Sequence, residues 1–458
     1  MHLKVGETIW QTRTIPGHDL FSYTASGKAY PAHEWLGQLM MYVCYRMGGY
    51  VGVMLWLCVL ASAVVVGLYV LCALYSGDHL AGLIGAAVGW CFGTVGFTPR
   101  PALLGFLFLV LELLLLELGR TRSRRWLWGL PPLFALWVNC HGSFYIGLGA
   151  LGVAVACTLL PWKSRQIEVP LWTRAARRTL LTAGACSLPA LLLNPNGVRA
   201  LAYPLAVVTK QRIGLAWVQE WAPLTVADPR GIALLGVFAF LFLMVLVYRM
   251  PLRLDELLLL AAGACMALQH MRLAFAFGVF AGPVVGRTLA RLMGPERETR
   301  NRRWVSPALF AASVAIIAIA FPGQAALERQ VKQATPQAAV DFIGRAGLHG
   351  RMLNDYNWGN YLIWALPEHK VFIDTRSEFY EWAGILPQYL RWMAIGEDPR
   401  RLPDKYGIDF CLLRADAPIS RVMALLPEWR LAYRDGEAVV LIRQGTQTGN
   451  LRSPLEPK

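Results

Sequence analysis

VGVMLWLCVLASAVVVGLYVLCALY, residues 51–75, decides the fold class. The run carries no charged side chain and exceeds the roughly 20 apolar residues that cross a bilayer as a helix. Further apolar runs follow it closely: Leu80–Phe97, Ala102–Leu118, Trp126–Val138, Ser143–Pro161 and Thr179–Leu193, then Gly231–Tyr248, Glu256–Gln269, Leu273–Leu289 and Trp304–Phe321. Several are short and must extend into their flanks, tilt or break. Trp126–Val138 is the weakest, with only 13 residues including Pro131-Pro132, and reads as a broken helix. The pattern predicts a mostly α protein, a polytopic membrane bundle of about ten helices.

The whole-chain balance agrees. Of 458 residues, 56% are hydrophobic and 16% charged, with mean hydropathy +0.42, which excludes an ordinary soluble protein of this length. The net charge of +15 does not point to nucleic acid. No basic run is interleaved with aromatics, and Lys and Arg gather in the cytoplasmic loops of membrane proteins. Orientation follows from the same residues. With the N-terminal segment outside, the inner loops (76–79, 119–125, 162–178, 249–255 and 286–303) hold 17 Lys or Arg. The outer loops after Val51 hold six: Arg100, Arg199, Lys210, Arg212, Arg230 and Arg272. Both ends are therefore expected outside the cytoplasm.

Upstream of residue 51 lies a polar segment, HDLFSYTASGKAYPAHEWL (18–36), ending in His33-Glu34-Trp35. Two amphipathic stretches flank it, residues 1–13 and Glu34–Arg46, each expected to lie on the membrane surface. Downstream of Phe321 short apolar runs alternate with helical ones. Expected strands are Met352–Asp355, Val371–Asp374, Phe410–Arg414, Leu431–Arg434 and Ala438–Ile442. Expected helices are Ala338–Arg345, Asn360–Leu366, Ile385–Met393 and Ile419–Leu426. Asp435-Gly436 marks a hairpin turn. The expected domains are an outer segment 1–50, a transmembrane domain 51–322 and an extracytoplasmic α/β domain 323–458. No internal repeat crosses the helices, which disfavours an inverted-repeat transporter.

Nine cysteines show no Cys-x-x-Cys and no metal-ligand spacing. Seven sit in or beside apolar runs and read as small buried apolar residues. No metal or other cofactor is indicated, and no leader of the secretory kind is visible in the first fifty residues. Ionisable groups at membrane depth are candidates by default. Glu112 lies within Ala102–Leu118, and Glu117 is explained by a surface pair with Arg120. Arg272, beside His270, lies at the outer end of two helices, where its planar fork suits a phosphate. Arg100, Asn139 and His141 mark other outer junctions. These polar groups gather on the side expected to carry His33 and Glu34, and that shared location is the functional argument.

The motifs HLKVGETIW (2–10), IPGHDLFSYTASGKAYPAHEWL (15–36), FTPRP (97–101), WVNCHGSF (137–144), NPNG (194–197), QEW (219–221) and VFIDTRSEFY (371–380) together resemble a bacterial branch of the C-type (GT-C superfamily) membrane glycosyltransferases. That branch is similar to the protein mannosyltransferases and aminoarabinose transferases. The resemblance implies a many-helix fold in the cytoplasmic membrane, a polyprenyl-phosphate-linked sugar donor, and hexosyl or pentosyl transfer on the outer face to a hydroxyl of a lipid, glycan or protein. It also implies an acidic base in the first outer loop and arginines on the donor phosphate. In the family HLKVGE follows a first transmembrane helix and an Asp-containing junction. Here Met1 directly precedes His2, so the start is expected to be assigned too late or the chain to be a natural fragment. The base is then missing or is Glu7, Asp19 or Glu34. The expected assignment is Glu34 or Asp19 as base, His33, Asn139 and His141 as polar partners, and Arg100 and Arg272 on the phosphate. A non-catalytic scaffold of the same fold and a lipid or glycan transporter are the alternatives.

Overall fold

A computed structural model describes residues 1–93, 98–160, 166–217, 219–294, 311–312, 314–315, 319 and 321–445. Two compact units make up the chain. One is helical and comprises His33–Leu205 and Leu215–Phe321; the other gathers Met1–Ala32, Ala206–Gly214 and Pro322–Lys458. Residues 1–32 thus cluster with the C-terminal part of the chain, and the expected outer segment 1–50 divides between the units. Two thirds of the expected span Trp304–Phe321 lies outside the described residues.

The first helices in chain order are α1 (His2–Thr12), α2 (Trp35–Ser76), α3 (His79–Cys91), α4 (Ala102–Thr121), α5 (Leu130–Cys140) and α6 (Phe144–Leu159). Then come α7 (Arg174–Ala190), α8 (Val198–Lys210), α9 (Ile213–Trp217), α10 (Pro229–Tyr248), α11 (Leu254–Gln269) and α12 (Ala274–Met293). Among the described residues four helices are long and apolar enough to cross a membrane: α2, α4, α10 and Met271–Met293. On α10, of mean hydropathy 2.7, Ile232, Phe242, Leu246 and Val247 are all exposed. A continuous apolar surface of that kind belongs against lipid.

The stretch Glu34–Arg46 opens α2 as a helical segment of its own, which meets the longer segment running to Ser76 across non-helical backbone at Gly48-Gly49. Pro131-Pro132 does not break a helix either. A 3-10 turn, Arg124–Gly129, leads into α5, and the prolines fall in its first turn, where a missing N–H costs nothing. The tightest packing joins α3 to α12. A Cβ on Gly278 would lie 2.3 Å from the Gly89 carbonyl oxygen, and one on Gly85 would lie 2.4 Å from that of Gly282. The small-xxx-small spacing of Gly85 and Gly89 against Gly278, Gly282 and Gly286 lets the two backbones touch. Glu117 does pair with Arg120, at 2.5 Å, but it is buried and also meets Arg253, which bridges to Asp255 on α11. The expected surface pair is part of a buried network.

In the α/β unit the strand Met352–Asn354 pairs in parallel with Phe410–Arg414, which pairs antiparallel with Ala438–Arg443. Trp429–Arg434 adds the other edge through the Asp435-Gly436 hairpin, with a register shift between Leu431 and Tyr433. Phe410, Leu412, Val440 and Ile442 face a core closed by the helices Gln337–Arg345 and Gly359–Ala365. The expected strand Val371–Asp374 does not join the sheet. The Asn354 side chain takes the place of a neighbouring strand, accepting from Phe372 N and donating to Ile373 O, both at 2.8 Å. Val371 instead exchanges backbone hydrogen bonds with Phe21 and Tyr23. α1 buries Val5 and Ile9 and packs against Gly359–Ala365. Its apolar face meets a protein core, not a membrane surface, and it ends at Arg13 in a left-handed conformation before reaching Pro16.

Candidate functional site

Three of the expected side chains meet where α2 begins. Glu34 caps α2, and its Oε1 lies 3.8 Å from His33 Nε2 and 3.4 Å from His141 Nε2. The His33 ring packs on Tyr203, centroids 4.6 Å apart. His141 follows α5 in extended conformation, because Gly142 and Ser143 turn the chain into α6. The backbone N–H of Ser143 donates to His141 Nδ1 at 3.1 Å. A backbone N–H cannot accept, so Nδ1 is the lone-pair nitrogen and Nε2 carries the hydrogen facing Glu34. Ser143 Oγ then donates to the same Nδ1 at 2.8 Å and accepts from Trp137 Nε1 at 3.0 Å. The result is a directed chain from Trp137 through Ser143 and His141 to the Glu34 carboxylate. Gly105 of α4 makes room for it, since a Cβ there would lie 2.2 Å from Ser143 Oγ and 2.8 Å from His141 Nδ1.

The two expected phosphate ligands share one carboxylate. Arg100 Nη1 donates to both oxygens of Glu220 at 2.9 Å, and Arg272 Nη1 lies 3.8 Å from Glu220 Oε2. Arg100 is held between Pro99 and Pro101 just before α4. Arg272 occupies a 3-10 turn, Met271–Leu273, between α11 and α12. That turn is tied to the Glu220 segment by Met271 N donating to Ala222 O and by His270 Nδ1 against Trp221 O, each at 2.8 Å. The Arg272 guanidinium sits over the Trp221 ring, 5.2 Å from its centroid.

Both arginines, Glu220 and His141 line one cleft. Its walls are otherwise largely apolar, with Phe106, Leu109, Ile146, Leu273 and Phe275. Basic forks at the rim of an apolar wall match a ligand with an anionic head and a hydrocarbon tail. Glu220 and Ser143 were not foreseen, although QEW and WVNCHGSF contain them. For Ser143 the signal available is its place in WVNCHGSF beside the candidates Asn139 and His141, whereas QEW holds no candidate.

The remaining candidates behave differently. Asn139, expected to contact substrate, is buried and committed to the protein. Its oxygen accepts from Trp35 Nε1 at 2.7 Å, and its amide donates to Ala135 O at 2.7 Å and Leu193 O at 2.9 Å. It fastens α5 to the start of α2 and thereby positions Glu34. Asp19 falls in the α/β unit, whereas Glu34 belongs to the helical one. It is buried, accepts from Phe21 N, Ser22 N and Ser22 Oγ, and pairs with Arg376 Nη2 at 2.6 Å. Arg376 also pairs with Asp374 at 2.6 Å. Burial alone would raise the Asp374 pKa, but the charge and hydrogen bonds of Arg376, with Tyr380, hold it below the usual carboxylate range. Glu112 is fully buried beside Gly147 and Trp137 and finds no hydrogen-bond partner among the described residues. No cluster of three or more His, Cys, Asp or Glu that could hold a metal occurs among the described residues.

No family model matches this chain, and neither does any curated protein sequence. Among solved structures the chain is similar to the archaeal oligosaccharyltransferase AglB from Archaeoglobus fulgidus, determined in complex with an inhibitory peptide and a dolichol-phosphate. The match has a TM-score of 0.48 at 11% identity and covers 97% of this chain and 70% of that one. A likeness that faint assigns no activity, and the reading of the cleft rests on its own residues.

Proposed function

We propose that this protein is a multi-pass membrane glycosyltransferase, moving a sugar from a polyprenyl-phosphate donor to an acceptor hydroxyl at the outer face of the cytoplasmic membrane. The observation that carries the reading is the cleft itself. His141, whose Nε2 lies 3.4 Å from the Glu34 carboxylate, lines the same apolar-walled space as the two arginines. The motif resemblance supplies the donor class.

In the proposed reaction the acceptor oxygen attacks the anomeric carbon while the bond from that carbon to the phosphate oxygen breaks. The acceptor proton passes to Glu34, and the electron pair leaves with the phosphate. A phosphodiester of charge −1 becomes a phosphate monoester approaching −2, while Glu34 becomes neutral, so charge balances. Arg100 and Arg272 stabilise the charge that grows on the leaving group. His141 donates from Nε2 and orients the carboxylate.

The test is transfer from a polyprenyl-phosphate sugar in membranes containing the full chain. Glu34→Gln should lower transfer by about 10²–10⁴-fold with little change in thermal midpoint. Arg272→Ala should abolish donor binding, and Arg272→Lys should retain part of it, since lysine keeps the charge without the fork. A folded Arg272→Ala variant that binds donor normally would refute the phosphate assignment. A fully active Glu34→Gln variant would refute the base.

A further inference from the structure

We infer that Glu220 is a displaceable counter-ion, which holds Arg100 and Arg272 in the empty cleft and competes with the ligand's phosphate for them. The inference rests on the proposed phosphate role of the two arginines and deepens it. Glu220 takes both of its short contacts from one terminal nitrogen of Arg100, at 2.9 Å each, and leaves Arg272 at 3.8 Å. It therefore engages two forks with one carboxylate and satisfies neither bidentately. The three side chains are 44, 34 and 30% exposed for Arg100, Arg272 and Glu220, so all can be reached from the cleft and exchange partners without unfolding anything.

Charge counting gives the arrangement its consequence. With Glu220 in place the two arginines present a net charge of +1, which matches a phosphodiester donor. The product, a phosphate monoester, approaches −2 and is fully paired only if Glu220 withdraws. The carboxylate then returns as the product leaves. A contact of this kind favours binding of the diester over retention of the monoester, and it would keep the leaving lipid phosphate from blocking the cleft. Glu220 is anchored for such a return, because its 3-10 turn is fixed at Trp221 and Ala222 by the His270 and Met271 contacts. The Arg272 guanidinium stays over the Trp221 ring, so one arginine has a resting place when the carboxylate moves.

The experiment measures binding of farnesyl phosphate and of its methyl diester to the purified full chain in detergent, using wild type, Glu220→Gln, Glu220→Ala, Arg100→Ala and Arg272→Ala. Both Glu220 variants should bind the monoester about two- to fivefold more tightly, what a partly exposed ion pair is worth. The gain for the diester should be smaller. Both arginine variants should lose affinity for both probes. If the Glu220 variants bind the monoester no better than wild type while the arginine variants lose it, the counter-ion role is overturned and the phosphate reading stands. If the arginine variants bind as wild type does, both fall together.

Discussion

Asp19→Asn separates a structural carboxylate from a catalytic one. In the wild type one Asp19 oxygen accepts from Ser22 N at 3.0 Å and Ser22 Oγ at 2.6 Å, and the other meets Arg376 at 2.6 Å. An amide has one acceptor oxygen and one donor nitrogen. Whichever way it turns, an N–H group is set against either Arg376 or the Ser22 donors. Hydrogen bonds to a charged group are worth about 1.5–3 kcal/mol each, and removing one member of a buried pair costs about 3–5 kcal/mol. Arg376 keeps Asp374, which softens the loss, so we expect about 2–3 kcal/mol. For a unit of this size that is a fall in melting temperature of roughly 4–12 °C. Cys411 provides the assay, since it is buried on the strand Phe410–Arg414, flanked by a partner strand on each side. Maleimide labelling of Cys411 against temperature, quantified by peptide mass spectrometry, should shift to lower temperature while donor binding at low temperature is kept. An unshifted Cys411 midpoint combined with lost transfer would refute the structural role and restore Asp19 as a candidate base.

Gly105→Ala should lower transfer strongly with a small stability change: the clash with Ser143 and His141 costs about 1–3 kcal/mol, the better helix former returns about 1 kcal/mol, and His141 must move off Glu34. Wild-type transfer by Gly105→Ala at an unchanged thermal midpoint would count against the relay. For topology, reporter fusions after Arg125 and Arg178 should read as cytoplasmic and fusions after Gly197 as external, because the basic residues divide 17 to six. A cytoplasmic reading after Gly197 would remove the proposed outer face from the cleft.

The membrane helices were legible because their signal is local. A long uncharged run has few other destinations, and α4, α6, α10, α11 and α12 fall close to the expected spans. What was illegible is what depends on the neighbour across the gap. Amphipathic α1 has the same pattern whether its apolar face meets lipid or the helix Gly359–Ala365, and only the tertiary structure decides. Val371–Asp374 reads as a strand from its β-branched and aromatic residues, yet the Asn354 side chain takes the hydrogen bonds a strand would have used. The glycines of α3 and α12 stood in the sequence at small-xxx-small spacing, and their meaning appears once the two helices are opposed.

The same logic bears on the two acids of one polar segment. Asp19 and Glu34 both follow a histidine and both sit near turn residues, and the sequence favours Glu34 only by its place at the start of a helix beside the membrane. Their surroundings differ. The oxygens of Asp19 are taken by two backbone N–H groups, a hydroxyl and a guanidinium, four donors that close it to an acceptor. Glu34 faces two imidazole rings, one of which lines the cleft where a ligand would lie. Imidazole can relay a proton at neutral pH, and a guanidinium cannot. A carboxylate beside rings at a cleft can therefore be a base, and one locked into an ion cluster is a fastening. What each acid touches separates the two, and those contacts suit Glu34 to the proposed role of taking the acceptor's proton.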